Sequence, residues 1–351
     1  VQRTVAVVTL AVALALLVAG AGRGTEAKTG RPEFARHPPV SADSVAKLAR
    51  AGGKLWTVDG CQVSVVSLTT LTVKRAAGAH CQVWPNPSGT LAVATVGSPS
   101  SLAVNRRLAV FDARGTSLRQ IAEIDHPQGT LSSPVAWQSD TDLSFCVASE
   151  SGPIVFTSTE ASGWHLTQAD PGRCLPQYDG ARKFEAEGAS VLAQGVPIAL
   201  TNKLVEAMRR TPDRIRITAL DVNGPFVGAA VGAIDGSTTT APYALVELDR
   251  RTGHNVTVRL GGGAAIDGVG LPPDGGAAWV SDATGGASIV PGPSGTTLPD
   301  SIPEHANAYA WSPDGSHLAV ARAAGVDVYT VADGTVVGVP GVHAEHLSWS
   351  R

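Results

Sequence analysis

Charged side chains are scarce in this chain, at 16% of 351 residues, and the formal net charge is −3. A balance so near neutral offers no global field to recruit nucleic acid or anionic lipid, and neither is expected as a partner. Cysteine is sparse as well. The four present, Cys61, Cys81, Cys146 and Cys174, include no Cys-x-x-Cys pair, so the usual zinc signature is missing. No Gly-x-Ser-x-Gly elbow, phosphate-binding loop or dinucleotide fingerprint occurs, and no cofactor is expected. What the chain has in quantity is Gly (39) and Pro (23). Frequent turns of that kind suit an all-β protein better than a helical one.

The first residues carry the strongest local signal. Thr4 to Gly22 is an uncharged, largely apolar run preceded by Arg3. Its length suits a bilayer-spanning helix or the core of a secretory signal. Ala19-Gly20-Ala21 resembles a signal-peptidase site and favours cleavage, whereas the length and the single preceding charge favour a retained anchor. Residues 1–22 are therefore read as a signal peptide or membrane anchor, and membrane association through residues 4–22 is expected if they are not cut. No cysteine follows the run, which argues against a lipid anchor. Residues 23–53 read as a linker holding one short helix from Ser41 to Ala51, and 54–351 as the folded domain. Both readings of the leader put that domain outside the cytoplasm, where an even cysteine count implies two disulfides.

The domain repeats itself. Ala308 to Trp311 reads as a strand, Ser312-Pro313-Asp314-Gly315 as a tight turn, and His317 to Ala321 and Val326 to Val331 as strands. Asp333-Gly334 turns the chain again, into Thr335 to Val339. Four short antiparallel strands in one such unit make a propeller blade. Decayed copies begin at Trp84, Trp137, Leu175, Leu220 and Leu271, and a last strand around Trp349 opens a further unit. Leu55 to Val58, Gln62 to Leu68 and Leu71 to Lys74 look like three outer strands lacking an inner one, which the Trp349 strand would supply. The expected fold is all-β: a β-propeller of seven four-stranded blades, closed by both chain ends and preceded by one N-terminal hydrophobic helix. Six blades remain open if the Leu175 or Leu220 copy is an insertion. The Trp residues are expected to fill wedges between blades. In this layout Cys61–Cys81 and Cys146–Cys174 are the favoured pairs, each stapling one blade to the next.

Trp311-Ser312-Pro313-Asp314-Gly315, Leu271-Pro272-Pro273-Asp274-Gly275 and Trp84-Pro85-Asn86-Pro87-Ser88-Gly89 resemble the WD40-like repeat of TolB-type propellers. The resemblance spans roughly residues 55–351 and implies an extracytoplasmic, mostly non-enzymatic module that mediates protein contacts. No functional residue of that family carries over.

Candidate sites are few. Lys203, Arg209, Arg210, Arg214 and Arg216 form a basic cluster, with Thr201 to Arg210 as a short helix whose apolar side is Leu204, Val205 and Met208. It suits docking of an acidic protein partner or an anionic envelope polymer. His343-Ala344-Glu345-His346 concentrates metal-ligand types without the spacing of a helical zinc motif, and reads as a loop. The recurrent Asp-Gly pairs, including 267–268, 274–275 and 314–315, read as turns. Asn255-Val256-Thr257 is a glycosylation sequon. The expected function is a monomeric, non-enzymatic binding module with a protein partner at the cell envelope. The alternative is an envelope glycan hydrolase or lyase working at the channel mouth, which would require acidic or His side chains to converge there.

Overall fold

The turns set the architecture. In Ser312-Pro313-Asp314-Gly315, the Gly315 N–H donates to the Ser312 carbonyl at 2.9 Å, and Asp314 Oδ1 accepts from Ser312 Oγ at 2.7 Å and Ser316 N at 3.0 Å. Gly315 holds φ +73°, the left-handed region that favours glycine. Its α-carbon also faces the neighbouring blade: a β-carbon there would lie 2.8 Å from Pro273 Cδ. Gly315→Val is expected to cost about 1–3 kcal/mol, from φ strain and this clash together. An unchanged midpoint in urea would show that the turn is of another type.

In the computed structural model the described residues are 41–97, 107–126, 130–131, 134–149, 152–171, 173–236, 238–260 and 265–351. The leader and most of the linker read from the sequence lie outside them. Ser41 caps helix α1 (Ala42–Ala51), its hydroxyl accepting the Ser44 N–H at 3.1 Å.

Strands from Lys54 to Ser350 pair into seven antiparallel sheets. Blade 1 joins the chain ends: the strand His346–Ser350 pairs with Lys54–Asp59 in the register Leu55↔Trp349 and Thr57↔Leu347. Blades 2 to 7 follow in chain order, and inner strands of neighbouring blades lie side by side, as those of blades 4 and 5, 5 and 6, and 7 and 1 do; in a propeller the inner strands surround the central channel. The Leu175 and Leu220 copies are both complete blades, so the count is seven. Blade 3 departs from the pattern, because its inner position is divided between Thr130–Leu131 and Ala136–Trp137.

Burial explains the residue patterns. Second strands such as Leu91–Val96 and Phe226–Asp235 are apolar almost throughout, because adjacent blades cover both faces. Outer strands such as Thr72–Arg75 are largely exposed and carry the polar residues. Trp84 and Trp137 pack in one core between blades 2 and 3, with Trp137 Nε1 donating to the Trp84 carbonyl at 3.0 Å. These two, Trp311 and Trp349 are half-buried, and the fully buried tryptophan is Trp56.

Both disulfides join consecutive blades. Cys61–Cys81 links blades 1 and 2, and Cys146–Cys174 links blades 3 and 4. No cysteine is left free.

Candidate functional site

Helix α2 (Leu200–Met208) lies in the connection between blades 4 and 5. Leu200, Leu204 and Met208, four residues apart, share one side of it and are buried. They join a core with Phe184 and Val191 of blade 4 and Val227 and Val246 of blade 5. Thr201 Oγ1 accepts the Val191 N–H at 3.1 Å and ties the first turn to blade 4.

The helix and the outer strand of blade 5, Asn255–Leu260, border a groove of about 280 Å³. Lys203, Glu206 and Arg209 line it from the helix, and Asn255, Thr257 and Arg259 from the strand. Alternate strand residues share a face, which is why positions 255, 257 and 259 arrive together. Three cations therefore meet one carboxylate. Lys203 Nζ stands 3.1 Å from Glu206 Oε2, and among the described residues no carboxylate pairs with Arg209 or Arg259. Part of this charge complements the C-terminal end of the helix dipole. That does not account for the conformation of Arg209. It caps the helix at φ 50° and ψ 41°, a left-handed position where glycine is the favoured residue.

The basic cluster read from the sequence is divided by the fold. Lys203 and Arg209 line the groove, and Arg210 is exposed beside them. The 3₁₀ turn Pro212–Arg214 then leads the chain off the rim, with Arg214 Nε 3.7 Å from Asp213 Oδ2. Arg216 lies on the inner strand of blade 5, paired with Gly232. Arg259 is the groove residue that sequence reasoning missed. The polar alternation Asn255, Thr257, Arg259 was the available signal, hidden by reading the first two as a sequon.

A second concavity opens at the channel mouth. Asp267, Asn307 and His346, from three consecutive inner positions, border a cleft of about 70 Å³ between blades 6 and 7. The Asp267-Gly268 pair, expected to be a turn, sits inside an inner strand, Ile266–Gly270. His346 opens the closing strand and His343 stays on the exposed loop before it. The channel wall desolvates the His346 imidazole and lowers its pKa, against the pull of the Asp267 and Glu345 charges. Among the described residues no three His, Cys, Asp or Glu side chains are grouped to hold a metal ion.

No family model and no curated protein matches the chain. Solved structures are similar at low identity. A functionally unknown protein from Desulfotomaculum acetoxidans DSM 771 aligns with TM-score 0.49 and 11% identity, over 85% of this chain and 99% of that one. A chain of the mitotic checkpoint complex aligns with TM-score 0.48 and 14% identity, over 88% and 96%. The β-propeller domain of Myceliophteria thermophila Cps50 (Swd1) aligns with TM-score 0.47 and 14% identity, over 78% and 91%. The propeller assignment rests on this chain's own strand pairing.

Proposed function

We propose that this chain is a non-enzymatic, extracytoplasmic binding module whose rim groove takes an acidic segment of a protein partner at the cell envelope. The observation that carries the reading is Arg209 and Arg259 across one groove, neither paired with a carboxylate among the described residues, in a chain whose net charge is negative. Guanidinium groups suit carboxylates, because their fork of N–H donors matches two oxygens. An extended acidic segment lying along Asn255–Leu260 would meet Arg259 on one side and Arg209 on the other. Two interblade disulfides fit an oxidising compartment.

Arg209 separates this reading from a purely structural one. Arg209→Gly is expected to raise stability by about 0.5–1 kcal/mol, since glycine adopts the left-handed cap without the Cβ penalty. The same substitution is expected to weaken partner binding. Urea midpoints and binding of the purified variant test both halves, and a glycine variant that is more stable and binds equally well would make Arg209 a bystander.

The reading as a whole is tested in cells with a photo-cross-linking amino acid at Thr257, in the groove, and at Thr72, on the exposed outer strand of blade 1. The expected result is an identified protein captured at 257 and not at 72, joined through an Asp/Glu-rich peptide. That capture should be lost in Arg209→Glu/Arg259→Glu. Capture of glycan alone, or of the same protein with the charges reversed, would overturn it.

A further inference from the structure

The channel mouth holds polar groups that the fold leaves unused. Asp267 and Asn307 each stand four residues before the hydrophobic position of the repeat: Leu271, just after the inner strand Ile266–Gly270, and Trp311, at the end of the inner strand Ala308–Trp311. The repeat thus places them at one level of the channel, and His346 of the closing strand joins them at the cleft between blades 6 and 7. Asp267 Oδ1 accepts one hydrogen bond, from Ser281 Oγ at 2.8 Å. Within the described residues its other oxygen, the Asn307 side-chain amide and the His346 ring make no hydrogen bond.

The apolar side of the cleft is aromatic. Trp279 and Tyr309 line it, and the Tyr309 hydroxyl is already spent on the Pro303 carbonyl at 2.7 Å. Trp279 lies across Gly268 and Gly270 of the inner strand, where a β-carbon on Gly270 would come within 2.2 Å of the indole Cε2. Two side-chain-free positions thus seat the ring at the cleft.

Three side chains able to accept line the cleft together, the Asp267 carboxylate, the Asn307 amide and the His346 imidazole, with the Trp279 indole beside them. Desolvation lowers the His346 pKa and favours the neutral imidazole, whose unprotonated ring nitrogen can accept. That set complements the three N–H donors of an ammonium group, and the indole face adds a cation–π contribution. About 70 Å³ has room for an ammonium and its first methylene.

We infer that the cleft between blades 6 and 7 binds a primary ammonium group, carried by a free small amine or by a lysine side chain. This site is independent of the rim groove.

The test titrates methylammonium, cadaverine and a capped lysine (Nα-acetyl-lysine methylamide) into the full chain. The indole N–H resonance of Trp279, assigned by its loss in Trp279→Phe, reports binding. Potassium chloride at equal ionic strength is the blank. The expected result is a saturable shift with amines and none with potassium, weakened about tenfold or more by Asp267→Asn, which removes the charge-assisted bond. Asn307→Ala, also at an exposed position, should weaken it less. Tighter binding of the capped lysine would identify a protein side chain as the source, and tighter binding of methylammonium or cadaverine a free amine. No saturable shift, an equal shift with potassium, or full affinity in Asp267→Asn would each overturn the assignment.

Discussion

Replacing Glu247 by Gln is expected to stabilise the protein at alkaline pH by about 5 kcal/mol relative to wild type and to flatten its pH profile. Glu247 lies on the strand Thr238–Asp249 of blade 5, is 1% exposed, and neither carboxyl oxygen has a hydrogen-bond partner. Across the sheet it pairs with Gly228, which pairs in turn with Asp221. The glycine leaves a notch that Leu271 of blade 6 fills: a β-carbon on Gly228 would lie 3.0 Å from Leu271 Cδ2. Two carboxyls therefore share the seam between blades 5 and 6.

Burial first, and then the Asp221 charge, push Glu247 up to about 8. Asp221 is raised to about 6 by burial, against the N–H donors of Leu271 and Val222, of which the Leu271 N–H lies 2.8 Å from Asp221 Oδ2. A carboxyl whose folded pKa is raised contributes its stability in full below the unfolded pKa. As pH climbs from about 4 to 8, the unfolded chain releases a proton that the native state must keep, at about 1.4 kcal/mol per pH unit. Above pH 8 both states are ionised and the loss is complete. Denaturant titrations at pH 5, 7 and 9 check this. Wild type should fall steeply against Glu247→Gln between pH 5 and pH 8 and run parallel beyond. Parallel curves throughout would mean that Glu247 is solvated in the native state.

The second large effect is at the ring closure. Trp56 is fully buried, belongs to the core between blades 1 and 2, and donates its Nε1 to Ser350 Oγ of the closing strand at 3.1 Å. Trp56→Ala is expected to cost about 3–5 kcal/mol, the range for emptying a large aromatic site. Its signature should be local. Amides of Lys54–Asp59 and His346–Ser350, which pair with one another, should lose hydrogen-exchange protection before those of blades 5 and 6. Trp56→Phe keeps most of the volume and loses the hydrogen bond to Ser350, and should fall between the two. Uniform loss of protection across all blades would show that closure is not the weak point of the ring.

Turn chemistry made the ring legible. Pro and Gly closely following Trp311, Leu271 and Trp84 mark strand ends whatever fills the strands, so a ring of seven or six units could be read from punctuation, and strand pairing of the weak Leu175 and Leu220 copies decided for seven. Closure was legible because blade 1 showed three strands without a fourth, and the cysteine pairs followed from their places relative to the inner strands. The sites were harder. Lys203 and Arg209 stood out as charge on a helix, but their partner Arg259 lies some fifty residues on, across a seam that only the packing of α2 on blade 5 creates. Arg216 was grouped with them by sequence proximity, which a single 3₁₀ turn undoes. Asp267, Asn307 and His346 are ordinary residues in isolation and acquire meaning from the channel. Glu247 was invisible for a related reason: alternation in a strand shows which face a residue takes, and not whether a neighbouring blade covers it.

The most direct test of the account is the dissociation constant of the cross-linked partner, measured for wild type and Arg209→Glu/Arg259→Glu over a series of salt concentrations. Wild-type binding should weaken steadily with salt. The charge-reversed chain should bind about tenfold or more weakly, with its salt dependence flattened, because charges across a groove steer and hold an acidic partner through a screened field. Equal affinity and equal salt dependence in the two proteins would contradict it and move the binding surface away from the rim.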